Sequence, residues 1–337
     1  MGIKDILAEK KSRVDKEVLD NIPEKEPHVH YDMMRDYPSR GGKGLRPALC
    51  MLTCEAYGKE DDAALLTASG LEMFHNWVLI HDDIEDFSDE RRGKPCLHKM
   101  HGIPLAINAG DALHIKMWEV LLKNREKLGD DKALKVISEF VKMINETTEG
   151  QTYELSWVEN NDFNVSEEDY YKMIVKKTAW YTCITPMRLG GIIADAPEED
   201  LEKIVDFGVS LGKAFQIQDD VLNFVGEEEK YGKEIAGDIW EGKRTLILIH
   251  LLKNCDEEEK KKVLEVMNKT RKEKTQEEVD FVLSKMKAKG SIDYAKKEAS
   301  VHAKNAMGKF KELKGLKDND SKKALESIIR FVVEREL

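Results

Sequence analysis

Two stretches of this chain set several carboxylates into apolar, helix-patterned sequence: His81-Asp82-Asp83-Ile84-Glu85-Asp86 and Gln218-Asp219-Asp220-Val221-Leu222-Asn223. Carboxylates this dense repel one another unless a cation neutralises them. A charge run is usually a solvated helix end, but residues 77–80 are Trp-Val-Leu-Ile and the second cluster follows an apolar run from Val205 to Ile217. The sequence therefore predicts buried helices that deliver acids to an interior cavity. Two facing clusters that share ligands with a diphosphate suit Mg²⁺, which takes carboxylates together with substrate phosphates.

The rest of the chain supports an all-α fold. Strand-like alternation is hard to find, prolines number only 8, and a 41% hydrophobic share allows a substantial core in 337 residues. Helical patterns are expected at 4–20, 47–57, 62–86, 105–125, 131–158, 167–193, 199–225 and 243–254. A polar stretch with Pro27 and Pro38 precedes residue 47, a Gly-rich acidic loop covers 226–242, and the charged remainder from 256 has a breaker at Gly290. The acidic clusters lie in different halves, so one domain, 1–337, closing around one cavity is the simplest organisation.

A formal charge of −11 argues against nucleic-acid binding. The five cysteines are scattered without a Cys-x-x-Cys pair and read as reduced thiols. The first twenty residues lack an apolar signal core, Ile6 stands where a myristoylation signal needs Ser or Thr, and no run approaches the ~18 apolar residues of a membrane span. A soluble, cytoplasmic protein is expected.

Helical geometry assigns provisional roles. Asp82 and Asp86, four apart, share a face, whereas Asp83 points about 100° away and suits a supporting role. Asp219, Asp220 and Asn223 repeat the spacing, with Asn223 able to coordinate only through a neutral carbonyl. Lys43 and Arg46 flank a Gly-rich loop before a helix, where backbone can approach a phosphate. Arg91 and Arg92 follow the first cluster, Lys177-Thr178 lies mid-helix, and Lys233 and Lys243 bracket the loop after the second. His75 sits two turns before Asp82, on the same face. Read singly, most of these are surface charges or a core histidine; their co-occurrence carries the inference.

The strings GGKGLRP, HDDIEDFSDERRGKP (81–95), INAGD (107–111), GQTYEL (150–155), KKTA (176–179), FQIQDDVLN (215–223) and GKEIAGDIWEGKRT (232–245) resemble, in order, the motifs of the trans-isoprenyl diphosphate synthases. Within that family the chain is most similar to short-chain, archaeal-type geranylgeranyl diphosphate synthases. The resemblance implies an isoprenoid-synthase helical bundle and a homodimer. It also implies a Mg²⁺-dependent, head-to-tail (1′-4) condensation of isopentenyl diphosphate with allylic diphosphates.

By the same resemblance Asp82, Asp86 and Asp219 would bind three Mg²⁺, supported by Asp83 and Asp220. Arg91, Lys177 and Lys243 would hold the allylic diphosphate. Lys43, Arg46, His75 and Arg92 would hold isopentenyl diphosphate. Thr178 and Gln216 would line the reacting region, and Lys233 would help close the loop. Gly44 stands where the family often has Arg, Asn223 where it has the last Asp of the second cluster and Glu154 where Asp is usual; Asn223 weakens the charge of one metal site without removing it, and none of the three argues for an inactive enzyme.

Trp77, Phe74 and Leu71 step up the helix at intervals of three, five to eleven residues before Asp82. In this family a large residue at Trp77 followed by a small one, Val78, looks like a C20 product, geranylgeranyl diphosphate. Farnesyl (C15) or C25-and-longer products are the alternatives. A class I terpene cyclase would lack Lys43, Arg46 and Arg92. A regulatory subunit of a heteromeric synthase would be expected to lose an acidic cluster, and a His81-Asp82 metal phosphohydrolase would leave Asp83 and Asp86 without a role.

Overall fold

The computed structural model describes residues 2–225 and 235–333. Helices dominate, and the sole strand pairing among the described residues is a two-residue hairpin, Glu90–Arg91 against Lys94–Pro95. The residues group into two compact units. One comprises 1–144, 181–206 and 309–328; the other comprises 145–180, 207–308 and 329–337. The divisions fall inside continuous helices, so several helices contribute to both.

The first unit is built around Leu65–Glu85, whose residues from Leu66 to Phe74 are buried nearly without interruption. It packs against Ile103–Leu122. Small residues permit that contact: a Cβ on Gly70 would lie 2.7 Å from Leu121 Cδ2, and one on Gly110 would collide with His81. Gly44, in the left-handed conformation at φ 59°, starts the helix Leu45–Ala56. Asp200 ties the three chain segments of this unit, accepting from Tyr57 Oη at 3.0 Å and from the Gly315 amide at 2.7 Å.

The stretch expected to be irregular before residue 47 contains a helix, His28–Ser39, with Pro38 inside it. A proline there forfeits one backbone bond and crowds the preceding turn, at about 3 kcal/mol. Met33, Met34 and Tyr37 are fully buried from the same helix, each worth roughly 1.5–3 kcal/mol, so packing outweighs the proline.

In the second unit Ile217, Val221 and Phe224 share a core with Tyr170, Ile174, Ile239 and the apolar helix Leu246–Asn254. The single helix expected at 167–193 is three segments: Glu167–Ile174, a wide π-helical stretch Val175–Ile184, and Thr185–Ile193. Pro186 lacks the N–H for an α-helical bond to Thr182 and crowds that carbonyl; the wider turn before it relieves this. Side chains on Gly150 and Gly212 would collide with Lys177 and Ala179 respectively. These glycines therefore let two long helices, Asp130–Glu159 and Glu198–Val225, close on the π segment.

Candidate active site

The first acidic cluster ends the helix Leu65–Glu85. Asp86 is its C-cap, with its amide bonded to the Asp82 carbonyl at 2.8 Å. Asp83 is completely buried and surrounded by donors: Tyr37 Oη, Arg91 Nε at 2.8 Å, and Arg91 Nη2. Arg91 Nη2 also lies 3.5 Å from Asp82 Oδ2. Burial opposes the Arg91 charge, but Asp83 and then Asp82 hold its pKa above the ordinary arginine range. Asp83 is thus committed to the protein, whereas Asp82 keeps 23% of its side chain exposed.

The hairpin that presents Arg91 turns through Arg92 and Gly93, both at positive φ (54° and 72°), the geometry of a tight two-residue turn. Arg40 secures it, donating to the carbonyls of Arg91 (3.0 Å) and Pro95 (2.9 Å). Arg92 Nη1 donates to the Tyr37 carbonyl at 2.9 Å and lies 3.4 Å from Asn76 Oδ1. A Cβ on Gly42 would lie 3.0 Å from Arg92 Nη2, so that glycine brings the loop carrying Lys43 against the guanidinium. Lys43 itself is exposed.

Arg46 lies over the Tyr181 ring at 4.2 Å, donates from Nη2 to Thr182 Oγ1 at 2.9 Å, and places Nη1 3.4 Å from His75 Nε2. Burial, reinforced by Arg46, Arg92 and Arg91, pushes the His75 imidazole well below its usual range, so it is neutral. The first unit therefore holds two polar constellations on one helix, an acidic one at Asp82–Asp86 and a cationic one around His75.

Trp77 stacks on His114 and meets Phe74 edge to face at 5.4 Å. Phe74 and Leu71 are fully buried, and Trp77 is partly so. His81 turns toward the Ile107 carbonyl (3.4 Å) and Asp111 (3.6 Å), which takes it away from the His81-Asp82 pairing that a phosphohydrolase would need.

In the second unit Asp220 is buried and accepts from Tyr170 Oη at 2.7 Å and Gln216 Nε2 at 2.8 Å. Burial pushes its carboxyl up to about 7, opposed by those hydrogen bonds and assisted by Asp219 and Glu154. Gln216 Oε1 accepts from Thr178 Oγ1 at 2.7 Å, which fixes the amide orientation. Lys177 pairs with Glu154, and Lys243 with Glu241 at 2.6 Å. Asn223 binds the following segment, accepting the Asp238 amide on Oδ1 (3.1 Å) and the Ala236 amide on its carbonyl (2.8 Å). Lys233, and the first part of the expected lid at 226–242, lie outside the described residues.

Each cluster thus contains one carboxylate committed to protein donors, Asp83 or Asp220, beside a more exposed one, Asp82 or Asp219. Among the described residues no three His, Cys, Asp or Glu side chains form a complete metal cage. Partly exposed carboxylates such as Asp82 and Asp219 are donors that suit Mg²⁺ when phosphate oxygens complete its shell.

The profile of the Polyprenyl synthetase family matches residues 27–286. The chain belongs to that family. It is 38% identical to a short chain isoprenyl diphosphate synthase of Methanocaldococcus jannaschii over 76% of this chain and 75% of the relative. It is 35% identical to a geranylgeranyl diphosphate synthase of Sulfolobus acidocaldarius over 88% and 87% of the two chains. The solved geranylgeranyl pyrophosphate synthetase from Pyrococcus horikoshii superposes with a TM-score of 0.87 at 36% identity, covering 98% of this chain and 99% of that one.

Several residues of this synthetase's site carried no sequence signal. Tyr37 reaches Asp83 from 46 residues away, on a helix masked by Pro38. Tyr181 and Thr182 fall just beyond the KKTA string, and His114 lies on a neighbouring helix. The INAGD string did contain one usable hint: Gly110 is small because His81 and Trp77 press against it.

Proposed function

We propose that this polyprenyl synthetase condenses isopentenyl diphosphate head to tail with allylic diphosphates and stops at C20, geranylgeranyl diphosphate. The observation that carries the reading is the pair of constellations on the helix Leu65–Glu85. One end offers carboxylates with Arg91 beside them; the stretch around His75 offers Arg46 and Arg92. A reaction joining two diphosphates requires both, whereas a terpene cyclase requires only the acidic one. No described helix is long and apolar enough to cross a membrane. The five unpaired cysteines suit a reducing compartment, and we place the enzyme in the cytoplasm.

We assign Asp82, Asp86 and Asp219 as ligands of three Mg²⁺, with Asp83 and Asp220 as their supports. When bound, the metal would supply positive charge against the diphosphate. Arg91, while keeping Asp83, and Lys177 and Lys243, exchanging their present carboxylate partners for phosphate oxygens, add cationic donors to the same leaving group. Lys43, Arg46, His75 and Arg92 hold isopentenyl diphosphate so that its double bond reaches the allylic carbon. Thr178 and Gln216 line the reacting centre, and Lys233 closes the loop that excludes water. Trp77, with Phe74 behind it and Val78 beside it, ends the space for the growing chain.

A second copy of the chain is the partner we assign to an exposed apolar face. Ile107, Ile115 and Leu122 on the helix Ile103–Leu122, and Leu134 and Val141 on the helix Asp130–Glu159, are each more than 40% exposed.

The deciding experiment incubates the protein with Mg²⁺, labelled isopentenyl diphosphate and C5, C10 or C15 allylic diphosphates, then sizes the dephosphorylated alcohols. A dominant C20 alcohol is expected. A C15 or C30-plus alcohol would leave the condensation standing and overturn the chain length. No product from any starter would overturn the condensation itself.

A further inference from the structure

The Arg46 guanidinium is held on three sides by the protein. One face lies on the Tyr181 ring at 4.2 Å. Its Nη2 edge is bonded to Thr182 Oγ1 at 2.9 Å, and Nη1 faces His75 Nε2 at 3.4 Å. The Tyr181 ring is itself wedged by Phe74, edge to face at 5.7 Å, and Phe74 is 1% exposed. A free arginine side chain must give up rotamer freedom to hold an anion in one geometry. Here that ordering is complete before any ligand arrives. Two of its five N–H groups are directed at the protein and Nε–H is buried, which leaves the other two Nη N–H groups for a phosphate.

We infer that Tyr181 and Thr182 are positioning residues for isopentenyl diphosphate, acting through Arg46 by fixing the plane and rotation of its guanidinium. The inference rests on the reading of Arg46 as an isopentenyl diphosphate ligand. The π-electron face of Tyr181 stabilises the cation without competing for its N–H groups. The Thr182 hydroxyl, being neutral, orients the fork without neutralising it. A carboxylate in the same place would form a salt bridge and weaken the pull on phosphate. His75 completes the arrangement as a neutral acceptor.

The test is steady-state kinetics of Thr182→Val, Tyr181→Leu and Arg46→Ala, with the conservative Thr182→Ser and Tyr181→Phe. Thr182→Val and Tyr181→Leu should each raise KM for isopentenyl diphosphate by about 3- to 30-fold. KM for the allylic diphosphate and kcat should stay within about twofold, as expected when only substrate binding is weakened. Thr182→Ser and Tyr181→Phe should restore the wild-type KM, because the acceptor and the ring face are retained. Unchanged isopentenyl KM in Thr182→Val and Tyr181→Leu, with a large rise in Arg46→Ala, would overturn the positioning role and leave the Arg46 reading intact. An unchanged KM in Arg46→Ala would overturn both. Equal losses in both KM values and kcat, not rescued by the conservative variants, would show a structural role and overturn the inference; thermal melts of all five identify variants that fail to fold.

Discussion

The indole of Trp77 lies flat on the imidazole of His114, ring centroids 4.0 Å apart and planes 9° from parallel. His114 is in turn fixed by Trp118, whose Nε1 donates to His114 Nε2 at 3.0 Å. Trp77 therefore has a rigid backing. Two substitutions should separate bulk from backing. Trp77→Ala removes the indole and should move the main product from C20 to longer alcohols. His114→Ala leaves the indole but frees it to tilt, and should give a mixture of C20 and longer chains. Chain-length analysis of both products decides the matter; an unchanged C20 alcohol from Trp77→Ala would remove Trp77 from the chain-length role.

Neighbouring carboxylates of the first cluster should behave oppositely. Asp83 is buried against Arg91 and Tyr37. Asp83→Ala leaves a buried guanidinium without its partner and should cost roughly 3–5 kcal/mol of stability. Asp82→Asn, at a partly exposed position, should change stability by under about 0.5 kcal/mol. It should lower kcat by about 10²–10³-fold, the scale of removing one preorganised charge contact. Urea denaturation and turnover on the same two proteins check both. A stable, inactive Asp83→Ala would reverse the assignment.

That division of labour was partly legible before folding. The helical period separates Asp83 from Asp82 and Asp86, and apolar residues 77–80 announce a buried helix. Local periodicity also places most helices to within a few residues, because each buries one continuous apolar face. The partners were not legible. Tyr37, His114, Tyr181 and Thr182 act through contacts far apart in sequence, and nothing in their neighbours marks them. Pro38 hides a helix that only tertiary burial stabilises. The π stretch Val175–Ile184 is approached closely by neighbouring helices at Gly150 and Gly212, two glycines that read locally as ordinary helix residues.

Stability should rise with pH through the titration of Lys274. Burial, with Arg244 and Arg271 nearby, lowers its ammonium pKa from 10.5 to about 8. Between those values the unfolded chain binds a proton that the folded chain does not, so folding is increasingly favoured as pH rises from about 8 to about 10.5. Lys274→Met should remove this component. It also loses the bonds to the Trp240 and Lys269 carbonyls, so the readout is the pH slope and not the absolute stability. Urea midpoints at pH 7.5, 8.5 and 9.5 should climb more steeply for wild type. Parallel slopes for the two proteins would show that Lys274 titrates normally.

The exposed apolar side chains Ile115 and Leu134 set the last expectation. These side chains are 58% and 63% exposed, an unfavourable state for apolar residues of this size. In a two-fold dimer each residue is buried twice, so one substitution counts at two places. Ile115→Glu or Leu134→Glu forfeits roughly 1.5–3 kcal/mol of burial at each copy and adds a desolvated carboxylate. The dimer dissociation constant should rise by about 10²–10⁴-fold, and the Ile115→Glu, Leu134→Glu double variant should sediment as a monomer. Circular dichroism should remain that of the wild type, since neither residue belongs to the core. Sedimentation velocity on wild type and double variant at micromolar concentration checks this. A wild-type monomer, or a double variant that stays dimeric, would show that a second copy does not cover this face.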